Sequence, residues 1–485
     1  MSKRIKALAL MLAVAIVLAM VPVNKVQAAT TKQSTISANQ TKRCRFSDQY
    51  DKIWFEFIAP SDGNFYVTVN KENVSDRGTF RVKLLDAQGE KEYYSVSGKG
   101  ITTPSYGTKS GQKYYIVVEN SYDAKDIYFN FKLNWNTSSV WENEPNESQP
   151  TAKPMSINTT YFGIPNESDK DYFCVKAPSN GYFVFTVAHN DVTETGNYSL
   201  TIYNAGAAEI THQTGKNLST FKIGVKAGTM LYAMVKDSYG ADNQVYKLTP
   251  YFAASESFEA EPNNSASEAK PIAYNSVYTG IIGNWNSDKA DFYKFSVNTI
   301  SQVNINFGPV DIAKTGNWRL YILNAKGKEA DILYTNSNKT AKVKLSKGVY
   351  YIKVVNSYDA DDKEYQLKIT SKNLNFKSKK PVIKTASVKK YNGIFSNKKF
   401  VGCSLAKTVS GADGYEVSVA SAKSMRKPFI KERIKAGGKK LKTEKYFSSK
   451  SKYFYVQVKP YIQDPFGNYI YGKKSAAKKV ATKAK

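Results

Sequence analysis

Histidine and cysteine are nearly missing. Across 485 residues there are 2 His and 3 Cys. No His-Glu-x-x-His helix and no Cys-x-x-Cys pair occurs, so a zinc site lacks ligands. The chain also lacks a Gly-x-Ser-x-Gly elbow and a Walker-type phosphate loop. A Ser or Cys nucleophile needs a neighbouring base, and both histidines, His189 and His212, read as exposed loop or strand residues. The expectation is that the chain is not an enzyme. Cys44, Cys174 and Cys403 fall in three different modules, too few and too scattered for a disulfide framework, and are expected to be buried thiols. Long apolar runs are also scarce. After about Val23 no segment is apolar enough to span a bilayer, so the mature chain is expected to have no transmembrane span. There is no Leu-Pro-x-Thr-Gly sorting signal, and no long amphipathic helix is legible after the N-terminus.

What is abundant is strand-forming. The chain carries 35 Tyr and 24 Phe, and 41% of its residues are hydrophobic. That is enough apolar material for packed cores. One core rarely exceeds roughly 250–300 residues, so several domains are expected. The N-terminus reads as a secretory signal. Lys3, Arg4 and Lys6 precede an apolar run, and Val26-Gln-Ala28 offers a cleavage site, giving a signal peptide at 1–28. A retained membrane anchor is the alternative.

Self-similarity sets the organisation. Tyr114–Asp126 and Tyr350–Asp362 are close copies, and Leu231–Asn243 lies between them; Tyr122, Tyr239 and Tyr358 are spaced 117 and 119 apart. Gly78, Gly196 and Gly316 keep the same period, as do Gly111, Gly228 and Gly348. Such units are the size of independent domains rather than solenoid repeats. Runs such as Phe65–Val69 and Tyr182–Val187 alternate with period two between Gly, Asn and Asp turns, which predicts antiparallel β-sandwiches. The Asp123/Asp126 and Asp359/Asp361/Asp362 clusters are read as turn formers. The fold class is therefore all-β: tandem antiparallel sandwiches over 29–137, 138–254 and 255–370, a basic linker at 371–380, and one further sandwich over 381–485.

Units two and three open with Glu142-Asn-Glu-Pro-Asn-Glu and Glu259-Ala-Glu-Pro-Asn-Asn, continue with Asp169-Lys-Asp-Tyr and Asp288-Lys-Ala-Asp-Phe-Tyr, and close with a Gly348-Val-Tyr-Tyr type strand. In combination this resembles the bacterial pre-peptidase C-terminal domain, the family that includes collagenase collagen-binding domains; unit one is a divergent copy. The resemblance implies a jelly-roll-like, non-catalytic module. The last segment is similar to a bacterial fibronectin type III domain through Ser410–Val417, Tyr453–Tyr461 and Tyr469–Ser475. It departs at Ala406, where a core Trp is expected, and its corner tyrosine falls to Phe454 or Tyr453.

Two sets of oxygen donors recur: Glu142, Glu144, Asn146, Glu147, Asp169 and Asp171, then Glu259, Glu261, Asn263, Asn264, Asp288 and Asp291. Ca2+ takes about six to eight oxygens in a flexible cage, and the family resemblance implies Ca2+ at these positions. The alternative is that they are solvated turn residues. Unit one lacks the opening motif and has Ile53 where unit two has Asp171, so Ca2+ is not expected there despite Asp48 and Asp51.

Charge is segregated. The formal net charge is +29, yet residues 371–485 hold 29 Lys+Arg against 5 Asp+Glu, leaving the three units almost neutral. The densest stretch contains Lys423, Arg426, Lys427, Lys431, Arg433, Lys435, Lys439, Lys440, Lys442 and Lys445. Such a patch attracts polyanions; a lysine-rich surface with no dedicated partner is the bland alternative. For an exported protein the polyanions in reach are teichoic acid, anionic lipid and sulfated glycan; nucleic acid suits that compartment poorly. The resulting expectation is a secreted, extracellular or cell-wall-associated adhesion protein that binds a polysaccharide or a collagen-like protein. The competing expectation is a spacer or accessory protein for a secreted hydrolase.

Overall fold

The computed structural model describes residues 31–481, except 166–168, 284–287, 315, 391–397 and 449–450. The expected signal peptide, 1–28, lies outside the described residues. β-strand dominates the rest, joined by two short 3-10 turns, Gln149–Thr151 and Phe376–Ser378. Among the described residues no helix is long and apolar enough to cross a membrane.

Three sandwiches repeat one topology. In the first, one sheet runs Thr31–Thr35, Lys52–Ile58, Lys113–Tyr122, Thr79–Leu85, Glu92–Gly98. The facing sheet runs Thr41–Arg45, Tyr128–Thr137, Gly63–Lys71, and the last of these also pairs Ile101–Thr102 and Tyr106–Thr108. Alternation explains the layering. Ile53, Phe55 and Phe57 point inward from one sheet and Phe129, Phe131 and Leu133 from the other, all buried. Phe55 stacks on Phe131 at 4.1 Å. The second and third sandwiches enclose separate cores in the same way. Among the described residues, pairing between strands is antiparallel with one exception per copy. Thr31–Thr35, Lys153–Pro154 and Lys270–Pro271 each run parallel to their neighbouring strand.

Asp123, Asp126, Asp359 and Asp362 all have positive φ, as turn formers of this kind tolerate. His189 departs from expectation. It is only 9% exposed, its Nε2–H donates to the Gly196 carbonyl at 2.8 Å, and its Nδ1 accepts from the Tyr198 hydroxyl at 2.7 Å. Both ring nitrogens are satisfied, so the residue is a structural tie at a strand end. His212 is exposed. Of the three free thiols, Cys403 is buried while Cys44 and Cys174 are half-buried.

The fourth module pairs a three-stranded sheet (Val382–Lys390, Lys399–Lys407, Lys440–Lys442) with a larger one ordered Ile430–Lys435, Gly414–Ala420, Tyr453–Gln463, Tyr469–Tyr471; Lys478–Ala481 also pairs Tyr453–Gln463. Ala406 is exposed at a strand end, and Leu405 points inward instead. Phe454 is buried in the core, while Tyr453 faces outward. The expected linker is packed rather than free. Leu374 and Phe376 join the fourth core, and the Lys379 carbonyl accepts from the Lys473 amide at 3.2 Å.

Each sandwich receives the next at the same end. Glu142 lies flush on Gly107, where a Cβ would stand 2.3 Å from the Glu142 carbonyl oxygen, and Glu259 lies on Gly224 in the same manner at 2.1 Å. Only glycine allows this approach. The third sandwich receives the fourth module through Phe466, whose ring stacks on Tyr350 at 6.3 Å.

Candidate metal centres

The opening motifs fold into the joints between sandwiches. Glu142 is held beside the strand Tyr161–Gly163 by backbone bonds on either side: its amide donates to the Phe162 carbonyl at 2.9 Å, and the Phe162 amide donates to the Val140 carbonyl at 2.8 Å. The Tyr172 amide donates to the Asn146 carbonyl at 3.0 Å, which brings the motif against Asp169 and Asp171. In the third sandwich, Phe292 bonds Asn263 at 3.0 Å in the same way.

The acids are buried, contrary to a reading as solvated turns. Glu142, Glu144, Asn146 and Asp171 are 0% exposed and Asp169 is 5% exposed. Carboxylate oxygens of Glu142, Glu144 and Asp171 lie within 4.8 Å of one another, as do those of Glu144, Glu147 and Asp169. In the third sandwich Glu259, Glu261 and Asp291 converge equally, with Asn263 buried beside them. Asp288 closes the wall and accepts from the Gly283 amide at 2.6 Å. Asn264 bridges the two stretches, donating to Glu261 at 2.9 Å and accepting from the Lys289 amide at 2.9 Å. All twelve expected residues thus fall in two nests of six.

The electrostatics are unfavourable as the side chains stand. Burial, then the neighbouring carboxylates, pushes Glu142, Glu144, Asp171, Glu259 and Asp291 well above the ordinary carboxylate range. Burial also lifts Asp169 and Asp288 to about 6 and Glu261 to about 8. Several oxygens have no hydrogen-bond partner: both of Glu144, one each of Asp169 and Asp171, and one each of Glu261, Asn263, Asp288 and Asp291. Buried polar atoms are rarely left so, and uncompensated buried charge is costly. Hard oxygen donors that converge without protein partners fit a hard divalent cation.

Two tyrosines not singled out from the sequence complete the nests. The Tyr246 hydroxyl donates to Asp171 at 2.6 Å, and the Tyr365 hydroxyl donates to Asp291. Tyr293 extends the second chain, donating to Tyr365 at 2.7 Å. The signal was available in the repeat. Where unit one has Ile53 in place of the aspartate, it has Phe129 in place of the tyrosine. The preceding sandwich contributes too. Lys91 pairs with Glu147, and the Tyr114 hydroxyl donates to the Glu144 carbonyl at 3.4 Å.

The ten basic residues are all exposed, but they do not form one patch. Ile430 and Ile434 pack inward, so Lys431, Arg433 and Lys435 project from the larger sheet. Leu441 packs inward from the opposing sheet, so Lys440 and Lys442 project from the other side of the sandwich. Lys423, Arg426 and Lys427 lie in the turn before Ile430–Lys435, Lys439 in the loop between the two strands, and Lys445 beyond Lys440–Lys442. On the larger sheet, Arg433 stacks over Tyr469 at 3.9 Å and donates to the Tyr471 hydroxyl at 2.8 Å, while Lys459 covers Tyr471 at 4.0 Å.

Chain and site together define a string of β-sandwich modules with paired carboxylate nests at their joints. No family model matches the sequence, and no curated protein does. Among solved structures, the chain is similar to the pre-peptidase C-terminal domain of a collagenase from Bacillus anthracis, with 20% identity over 22% of this chain and 97% of that one, at a TM-score of 0.19. It is also similar to a tandem CBM22 pair from a Paenibacillus barcinonensis Xyn10C, with 9% identity over 44% of this chain and 86% of that one, at a TM-score of 0.17. A GH2 β-galacturonidase from Eisenbergiella tayi aligns at 10% identity over 38% of this chain and 35% of that one, at a TM-score of 0.14.

Proposed function

We propose that the chain is an exported, non-catalytic adhesion protein with Ca2+ in its two nests. Three near-neutral sandwiches of pre-peptidase C-terminal type would present a polymer-binding array, and a basic fibronectin-like module would hold it on an anionic surface. The observation that carries this reading is duplication. The same donor set recurs in two copies, buried beneath a tyrosine, which suits a structural ion better than a single reaction centre. Glu142, Glu144, Asp169 and Asp171, with Asn146 and Glu147, would hold one ion; Glu259, Glu261, Asp288 and Asp291, with Asn263 and Asn264, would hold the other.

The test is an array of polysaccharides, collagen-like proteins and teichoic acid probed with the full chain, with and without Ca2+ and at two salt concentrations. Saturable binding to one polymer supports adhesion. Binding to none of them favours the spacer or accessory role. Hydrolysis of a polymer by the purified chain, lost on changing one carboxylate, overturns the non-catalytic reading. Retention on teichoic acid that ignores salt overturns the electrostatic reading, because screening is strong above physiological ionic strength.

A further inference from the structure

The three joints share one geometry but are filled differently. At the first, the rings of Tyr93, Tyr106 and Tyr114 pack together, with centroids 5.0 Å apart for Tyr93–Tyr106 and 5.9 Å for Tyr106–Tyr114, and each is at most 6% exposed. At the third, Phe466 stacks on Tyr350, which holds the repeat position of Tyr114. At the second, the positions of the three tyrosines are Ile210, Ile223 and Leu231. Sheet register confirms the equivalence. Tyr106 lies opposite Phe65 and Ile223 opposite Phe183; Tyr94 lies opposite Leu84 and Thr211 opposite Ile202. Lys91, which reaches across the first joint, falls on Ala208.

Trimming three rings to aliphatic side chains leaves a cavity of about 240 Å3 at the second joint. Ile210, Ile223 and Leu231 form one wall with Phe221, and Ile281 of the third sandwich faces them. The remaining wall carries Glu261 and Asp288, each with one buried oxygen that has no donor. An apolar cavity of roughly 150 Å3 already takes a benzene ring.

We propose that this joint binds an aromatic ring bearing a hydroxyl group, supplied from outside the sandwich pair. The ring takes the volume that tyrosines occupy at the first joint and Phe466 borders at the third. The hydroxyl donates to the free oxygens of Glu261 and Asp288, oxygens for which it competes with an ion in that nest. The pocket stands on cavity shape and repeat comparison, independently of the adhesion reading, and it shares Glu259, Glu261, Asn264 and Asp288 with the third sandwich's nest.

The experiment titrates the full chain with p-cresol by calorimetry, in Ca2+ and in chelator, beside toluene and a short tyrosine-bearing peptide. The comparison variants are Ile210→Tyr and Leu231→Tyr, which restore the first joint's rings, each checked by its melting curve; two are used in case one fails to fold. Saturable p-cresol binding that is lost in a folded, filled variant is the expected result. Tighter binding of the peptide assigns the ring to a partner's tyrosine, and p-cresol alone assigns it to a free phenolic compound. No binding to the unmodified chain, or equal binding to a filled variant, overturns the pocket. Toluene binding as tightly as p-cresol overturns the hydroxyl assignment.

Discussion

The first sandwich and its two successors share strand order, register and size, yet only the successors bury acids. Ile53 pairs with Val118, Asp171 with Val235 and Asp291 with Val354, each at the corresponding place. The facing residue changes with it: Phe129 in the first copy, Tyr246 and Tyr365 in the others. All are buried. One copy therefore shows that the architecture closes with an apolar pair in this position. The architecture itself does not call for an acid here, and a buried carboxylate with an oxygen left unpartnered opposes folding when it is charged. Their retention in two copies points to something they bind.

That contrast can be broken experimentally. The largest effect expected is from Ca2+. At a hundredfold excess over its Kd, an ion that binds only the folded state stabilises a nest by about 2.7 kcal/mol, so the full chain should melt higher in millimolar Ca2+ than in chelator, and unchanged melting would falsify the ion assignment. Recasting the third sandwich's nest as the first copy, with Asp291→Ile and Tyr365→Phe together, should remove that nest's response. In chelator the same variant should be more stable, by roughly 1–4 kcal/mol, as when buried charges give way to packed apolar groups; a loss of stability in chelator would show that the nest contributes to folding by itself.

The pH response should differ between the two conditions. Asp169 and Asp288 are lifted to about 6 and Glu261 to about 8. Folded values above unfolded ones give stability that is fully present below about pH 4 and lost as pH rises through 6 to 8. In chelator these groups should make the chain lose stability across that range. In Ca2+ they should not, since the ion needs the deprotonated oxygens. Denaturant melts at pH 5 and pH 8 check both.

Tyr365→Phe alone should act less strongly. It orphans an Asp291 oxygen at about 1–2 kcal/mol and should weaken Ca2+ by about tenfold or more, as loss of a supporting contact does; an unchanged titration would make the tyrosine mere packing. The smallest effect expected is from Lys91→Ala. Lys91 and Glu147 are 44% and 34% exposed, and such pairs contribute about 1 kcal/mol or less. Its removal should leave melting almost unmoved while tightening Ca2+ at the second sandwich's nest, which loses a competing cation.

Period-two alternation and a repeat of about 118 residues made the three sandwiches legible, because inward positions such as Phe55 and Phe131 must be apolar. The donor residues were legible as residue types but not as buried ones. Burial came from the joint, where Gly107 and Gly224 let the next module's backbone settle, and no local pattern records a contact between modules. His189 is buried for a similar reason: its partners, Gly196 and Tyr198, come from the turn and the strand that follow. The basic stretch is continuous in sequence but not in space, because the chain crosses from one sheet to the other between Lys435 and Lys440.

Phe466 reaches back from the turn 464–468 to rest on Tyr350, while Lys328 and Lys344 of the third sandwich grip the backbone of the fourth module at the Phe466 and Gly411 carbonyls. The last two modules therefore behave as a socket and its plug. Without the fourth module, the Tyr350 ring of the third sandwich would lose the face that Phe466 covers.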